Sequence, residues 1–115
     1  MVIKKLNVKK GLLLLMMMAF LSCNMTPQET AEINIKAYML EHAIHPKTYE
    51  GIDFEKIEKD SVSEYPYHVS HLYRSKSKAG EMVVSHRVFF LDSAYAVKKD
   101  ITLKEYNELI HIIKK

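Results

Sequence analysis

The chain has 115 residues, enough for one domain, and carries 17 basic against 14 acidic side chains, a formal charge of +3. Four of the lysines (Lys4, Lys5, Lys9 and Lys10) precede an apolar run from Gly11 to Ser22. Without residues 1–22 the balance is 13 against 14, or −1. Such a near-neutral chain excludes a nucleic-acid partner recruited by net charge, and one cysteine excludes a disulfide framework or a multi-cysteine zinc site.

A basic stretch, a 12-residue apolar run and a small residue before Cys23 have the layout of a secretory leader. A spanning helix needs about 20 apolar residues, so the run is short for a permanent anchor. Phe20-Leu21-Ser22-Cys23, followed by Asn24, resembles the signal of bacterial lipoproteins, with Phe20 where that family usually has Leu: a relaxed lipobox. The resemblance implies cleavage between Ser22 and Cys23, a diacylglycerol on the Cys23 thiol and an N-acyl chain on the new amine. Two or three acyl chains hold a protein firmly in a bilayer, at roughly 0.8 kcal/mol per buried CH₂. Asn24 replaces the Asp that retains such proteins in the inner membrane, which implies the outer membrane. No acidic cluster follows Cys23, which favours the periplasmic side. The expected division is a cleaved signal peptide at 1–22, a lipidated tether at 23–26 and one domain at 27–115.

Thr26-Pro27-Gln28-Glu29 reads as a helix start with a capping box. Ile33, Ala37, Leu40 and Ile44 recur at helical spacing, with Ala31, Ile35 and Tyr38 on the other side. Pro46 should stop the helix at His45. Thr48 to Ile57 reads as a first strand with Gly51 as a bulge, and Asp60 to Glu64 as a polar connection. Tyr67 to Arg74 alternates well, with Tyr67, Val69, His71 and Tyr73 on one face. Ser75 to Gly80 reads as a hairpin loop. Met82 to Leu91 is the strongest strand, with Met82, Val84, His86, Val88 and Phe90 on one face. Asp92-Ser93 turns the chain, and Tyr95-Ala96-Val97 offers a short last strand. Thr102 and Glu105 form a second capping box for a closing helix with a Leu103, Tyr106, Ile110, Ile113 stripe, and Lys114 and Lys115 suit its C-terminal dipole. The expected fold is α+β: an N-terminal helix packed on a three- to four-stranded antiparallel meander with a C-terminal helix, a cystatin-like or similar small roll.

Beyond residue 22 the chain has two glycines, Gly51 and Gly80, too few for a phosphate-cradling loop, a dinucleotide fingerprint or a nucleophile elbow. No enzyme, nucleotide or cofactor reading follows. A hairpin centred between Lys78 and Ala79 would set His71 opposite His86 on one face, where the two could share a metal or titrate together. They lack a third ligand, and no metal site is assigned. His42 and His45 stand at i, i+3 and could face one another. His71, Tyr73, Arg74, His86 and Arg87 form the basic-aromatic cluster, with Arg74 and Arg87 placed on the face of Leu72, Phe89 and Leu91. Arg and Tyr are common anchors of interfaces and anion sites. The segments His45-Pro46-Lys47-Thr48-Tyr49, His71-Leu72-Tyr73-Arg74 and Val83-Val84 through Phe90-Leu91-Asp92 are similar to a pattern in small secreted and lipid-anchored bacterial domains; it implies a compact α+β domain and adds no activity.

The expected role is a non-enzymatic binding component of the envelope, held to the bilayer through Cys23, with an envelope protein as its partner. Alternatives are a periplasmic inhibitor or immunity-type protein, and a histidine-based metal- or pH-responsive sensor.

Overall fold

A computed structural model describes residues 24–113. The expected leader, the cleavage point, Cys23 and the Lys114-Lys115 pair lie outside the described residues. Helix α1, Pro27–His42, starts as its capping box dictates: Thr26 Oγ1 accepts from the Glu29 amide at 3.1 Å. It stops three residues earlier than expected. Residues 43–45 are non-helical, and His45 caps a 3₁₀ turn at Pro46–Thr48. His42 and His45 are therefore not helical neighbours.

The buried side of α1 is Ala31, Ile35 and Met39. The expected stripe faces outward: Ile33, Leu40 and Ile44 are 52%, 57% and 61% exposed. Apolar residues lie on both sides of this helix, so hydrogen bonds to its flanks set its rotation. Gln28 clamps the chain at 55–57, donating to the Glu55 carbonyl at 3.0 Å and accepting from the Ile57 amide at 2.7 Å. Asn34 donates to the Tyr95 carbonyl at 2.8 Å.

The sheet is antiparallel, in the order β1-β3-β4-β5, and a short β2 also pairs with β3. Strand β1 is Glu50–Phe54, β2 Glu58–Lys59, β3 Tyr67–Lys76, β4 Met82–Leu91 and β5 Val97–Thr102. Of the strand expected over 48–57 only Glu50–Phe54 forms, bulged between Gly51 and Asp53, and β2 follows beyond it on the same edge of β3. The expected strand at Tyr95 is instead a turn. Tyr95 has φ 66°, and Asp92 Oδ1 accepts from the amides of Ala94 and Ala96. Strand β5 runs through Lys98-Lys99-Asp100, polar residues that hide it at the sequence level. Helix α2, Leu103–Ile113, starts at the predicted box: Thr102 Oγ1 accepts from the Glu105 amide, and Glu105 Oε1 accepts from the Thr102 amide.

The β3–β4 hairpin closes through a five-residue loop, Ser77 to Glu81. Ser77 donates to the Glu81 carbonyl, and Gly80 sits at φ 85°, a left-handed conformation that suits glycine. Its centre is Ala79, so His71 pairs with Arg87 and Leu72 with His86. This is one residue away from the expected register, and a one-residue slip sends side chains to opposite faces. On one face Val69, Tyr73, Phe89 and Leu91 pack against Ala31, Ile35 and Met39 of α1. On the other, Val88, Phe90 and Ile101 pack with Tyr65, Leu103 and Tyr106, the last two from α2. None of the described helices is long and apolar enough to cross a membrane.

Candidate functional site

The register dissolves the predicted histidine pair. His71 is on the α1 face and His86 on the α2 face, so the two cannot share a ligand. Arg87 and Arg74 separate in the same way: Arg87 stays with Phe89 and Leu91, while Arg74 lies on the reverse face with Leu72. Arg74 pairs there with Glu50, Nη2 to Oε2 at 2.7 Å.

His71 is fully buried and fully used. Its Nδ1 lies 2.7 Å from the Asp53 carbonyl, which can only accept, so Nδ1 carries the hydrogen. Nε2 therefore accepts from the Tyr49 hydroxyl at 2.6 Å. Phe54 stacks on the ring at 3.8 Å between centroids. Burial pushes the His71 pKa below the usual imidazole value, against a smaller upward pull from the Asp53 carbonyl and Glu32. Burial, then Tyr73, pushes the Tyr49 pKa up to about 12, in keeping with its donor role. No lone pair is left on His71 for a metal. Among the described residues, no group of three or more His, Cys, Asp or Glu could hold a metal ion.

Of the predicted cluster, Tyr73 and Arg87 come together. They line a pocket of about 490 Å³ between the C-terminal end of α1 and the hairpin end of the sheet. The pocket exists because α1 stops early. Sixteen helical residues span about 24 Å, whereas ten strand residues span about 33 Å. The chain leaving α1 through Ala43 and Ile44 forms one wall.

The floor is an ion pair that the sequence reading missed. Arg87 Nε lies 2.6 Å from Asp100 Oδ2, and the Tyr38 hydroxyl donates to Asp100 Oδ1 at 2.6 Å. Burial, then the hydrogen bond and charge of Asp100, holds the Tyr38 pKa up at about 12, despite an opposing pull from Arg87. Tyr38 thus remains a neutral donor at physiological pH. The His42 ring stacks on Tyr38 at 4.0 Å, and its Nδ1 bonds the Tyr38 carbonyl at 2.9 Å. That leaves Nε2 as the free ring nitrogen. Asp100 escaped notice because it sits in the polar run that concealed β5. Tyr38 and His42, four residues apart on one helix, were the available signal.

A second polar cluster lies on the α2 face. His68 Nδ1 is 3.0 Å from Asp60 Oδ1, and its Nε2 is 3.5 Å from Glu58 Oε2 and 3.4 Å from the Tyr106 hydroxyl. Ser63 bonds Asp60 Oδ2 through both its amide and its hydroxyl. Burial pushes the Asp60 pKa up, but hydrogen bonds from Ser63, the Val62 amide and His68 outweigh it and hold the carboxyl below its usual range. This cluster ties the 58–63 segment to β3 and α2. His86 Nε2 is buried on the same face with no hydrogen-bond partner among the described residues.

No family model matches the chain, and neither a curated protein nor a solved structure matches it.

Proposed function

We propose that the protein is a small lipid-anchored component of the bacterial envelope that acts by binding rather than by catalysis. Its anchor is the acylated Cys23, and its place is the periplasmic side of the outer membrane, among envelope proteins. The reading of residues 1–23 rests on the lipobox-like Phe20-Leu21-Ser22-Cys23. The reading of the domain rests on one observation: the pocket between Tyr73, Arg87 and the end of α1. A site of this size with a few convergent polar groups is the usual form of a small-molecule site. It lies at the C-terminal end of α1, the end away from the Thr26 cap. From Cys23 to the start of α1 the tether spans roughly 10 Å, which keeps the domain close to the bilayer.

The test is metabolic labelling with an alkyne fatty acid, fractionation and in-cell crosslinking of the full chain beside Cys23→Ala. Wild type should carry the label, sediment with membranes and give a discrete crosslinked species; Cys23→Ala should lose the label and the membrane association. An unlabelled wild type overturns the anchor. Crosslinks that survive in Cys23→Ala would show recognition by the domain alone, and the inhibitor-type role would then replace the anchored component.

A further inference from the structure

The geometry points to the Arg87 pocket as a binding site for a small monoanion, a carboxylate or phosphate group carried on a compact, partly apolar body. This deepens the binding half of the proposed function and does not depend on the anchor.

Three features carry it. First, Arg87 is aimed and held. Its contact with Asp100 uses Nε, one of five N–H donors on a guanidinium, so the fork of Nη donors is not consumed by that bond. Its side chain is 29% exposed, accessible yet largely withdrawn from water. Both oxygens of Asp100 are engaged, one by Arg87 and one by Tyr38, so the carboxylate positions the arginine and its charge is already countered.

Second, the surroundings suit an anion. His42, Ser75 and Ser85 line the same pocket, and Lys76 borders it at the hairpin rim, on the strand face of Arg74. Arg87 and Asp100 cancel in formal charge, so the pocket holds an anion through the Nη donors that Asp100 does not use rather than through net charge. Charge-assisted bonds from a planar arginine fork are the strong way to hold a carboxylate or phosphate. The Lys76 amide donates to Thr48 Oγ1 at 2.9 Å, which ties the hairpin rim to the 3₁₀ turn.

Third, the rest of the wall is apolar. Met39, Ala43, Ile44 and Val83 line it. A bare ion would leave that surface wet, whereas an anion with an apolar body would cover it.

The chain has only two arginines, which supplies an internal control. The ¹⁵N-labelled full chain in nonionic detergent micelles is titrated with benzoate and, separately, with inorganic phosphate, while the two arginine Nε–Hε signals are followed. The Arg87 signal should move saturably and the Arg74 signal, on the opposite face, should stay. Tighter binding of benzoate assigns a carboxylate with an apolar body; tighter binding of phosphate assigns a phosphate group. Ser75→Ala, on the pocket face, should weaken saturation by about fivefold, the scale of one hydrogen bond, and Lys76→Ala, on the face of Arg74, should not. The same titration on Cys23→Ala should give the same affinity, which separates this site from the anchor. Equal, unsaturable drift of both arginine signals with both probes overturns the proposal, as does unchanged affinity in Ser75→Ala together with Ser85→Ala.

Discussion

His68 and His71 lie three residues apart on β3 and therefore on opposite faces of the sheet, and their surroundings differ in kind. His71 is sealed between Phe54, Tyr49 and the Asp53 carbonyl, uncharged partners that keep it neutral. His68 stands between two carboxylates, Asp60 and Glu58, beside the Tyr106 hydroxyl. The α1 face is an apolar and aromatic core that opens into the Arg87 pocket at one end. The α2 face has a smaller core stitched to a polar segment. Residue type does not set the role of a buried histidine; the charge and reach of its neighbours do.

The largest expected effect tests how unequal the two faces are. Ile35 is fully buried against the sheet, whereas Leu103 on α2 is only half-buried. Ile35→Ala should cost about 3 kcal/mol and Leu103→Ala about 1 kcal/mol in urea unfolding. Ile33→Ala, on the outer side of α1, should stay within about 0.5 kcal/mol. Equal costs for Ile35 and Ile33 would mean that α1 is rotated from the orientation described.

Next comes the polar cluster. Asp60→Asn removes a buried carboxylate that accepts from Ser63 and His68, and it should cost about 2 kcal/mol at pH 7, the scale of hydrogen bonds to a charged group. Because the folded-state pKa of Asp60 lies below the ordinary 3.8, its contribution is complete above that value and is lost as pH falls through the folded one. The gap between wild type and Asp60→Asn should therefore close in strong acid. A gap that stays constant down to pH 2 would remove the charge from the explanation.

His71 gives the opposite acid behaviour. Its folded pKa is lowered from 6.5, so the unfolded chain takes up the proton first. Stability is complete above pH 6.5, falls as pH drops from 6.5 towards the folded value, and is level below it. The slope attributable to one such group is at most about 1.4 kcal/mol per pH unit. His71→Leu should flatten that stretch of the stability profile while leaving the Asp60-dependent loss at lower pH. A profile with the same slope in His71→Leu would assign it to other histidines.

The elements with their own local signals were legible in the sequence. Thr26 and Thr102 caps mark both helix starts, and the alternation of β3 and β4 is strong enough to place both strands. What failed depended on distant partners. α1 has apolar residues on both sides, so its rotation is decided by Gln28 and Asn34 bonding to chain segments far along the sequence. Strand β5 carries Lys98, Lys99 and Asp100 because it lies at the sheet edge. The hairpin register turned on whether the loop had five residues, and that one-residue difference moved His86 off the face of Tyr73 and Arg87 onto it. The pocket was half legible: Tyr73 and Arg87 were named, while Tyr38, His42 and Asp100 become neighbours only once α1 and β5 are in place.

The smallest expected effect separates the two arginine pairs. Arg74 and Glu50 make two hydrogen bonds, at 2.9 and 2.7 Å, better counted than the one between Arg87 and Asp100. Yet both partners of the Arg74 pair are more than 45% exposed, whereas those of the Arg87 pair are at 29% and 20%. Exposed pairs are screened by water and give up side-chain entropy, so Glu50→Gln should change stability by no more than about 0.5 kcal/mol and lose even that in high salt. Asp100→Asn strips a shielded guanidinium of its partner and weakens the acceptor of Tyr38, so its cost should be larger and persist in salt. A double-mutant cycle on each pair, run at low and high ionic strength, checks this. A coupling energy for Arg74–Glu50 equal to that of Arg87–Asp100 at high salt would mean that geometry outweighs burial on this sheet, and that Arg87 is no better shielded for a ligand than an ordinary surface arginine.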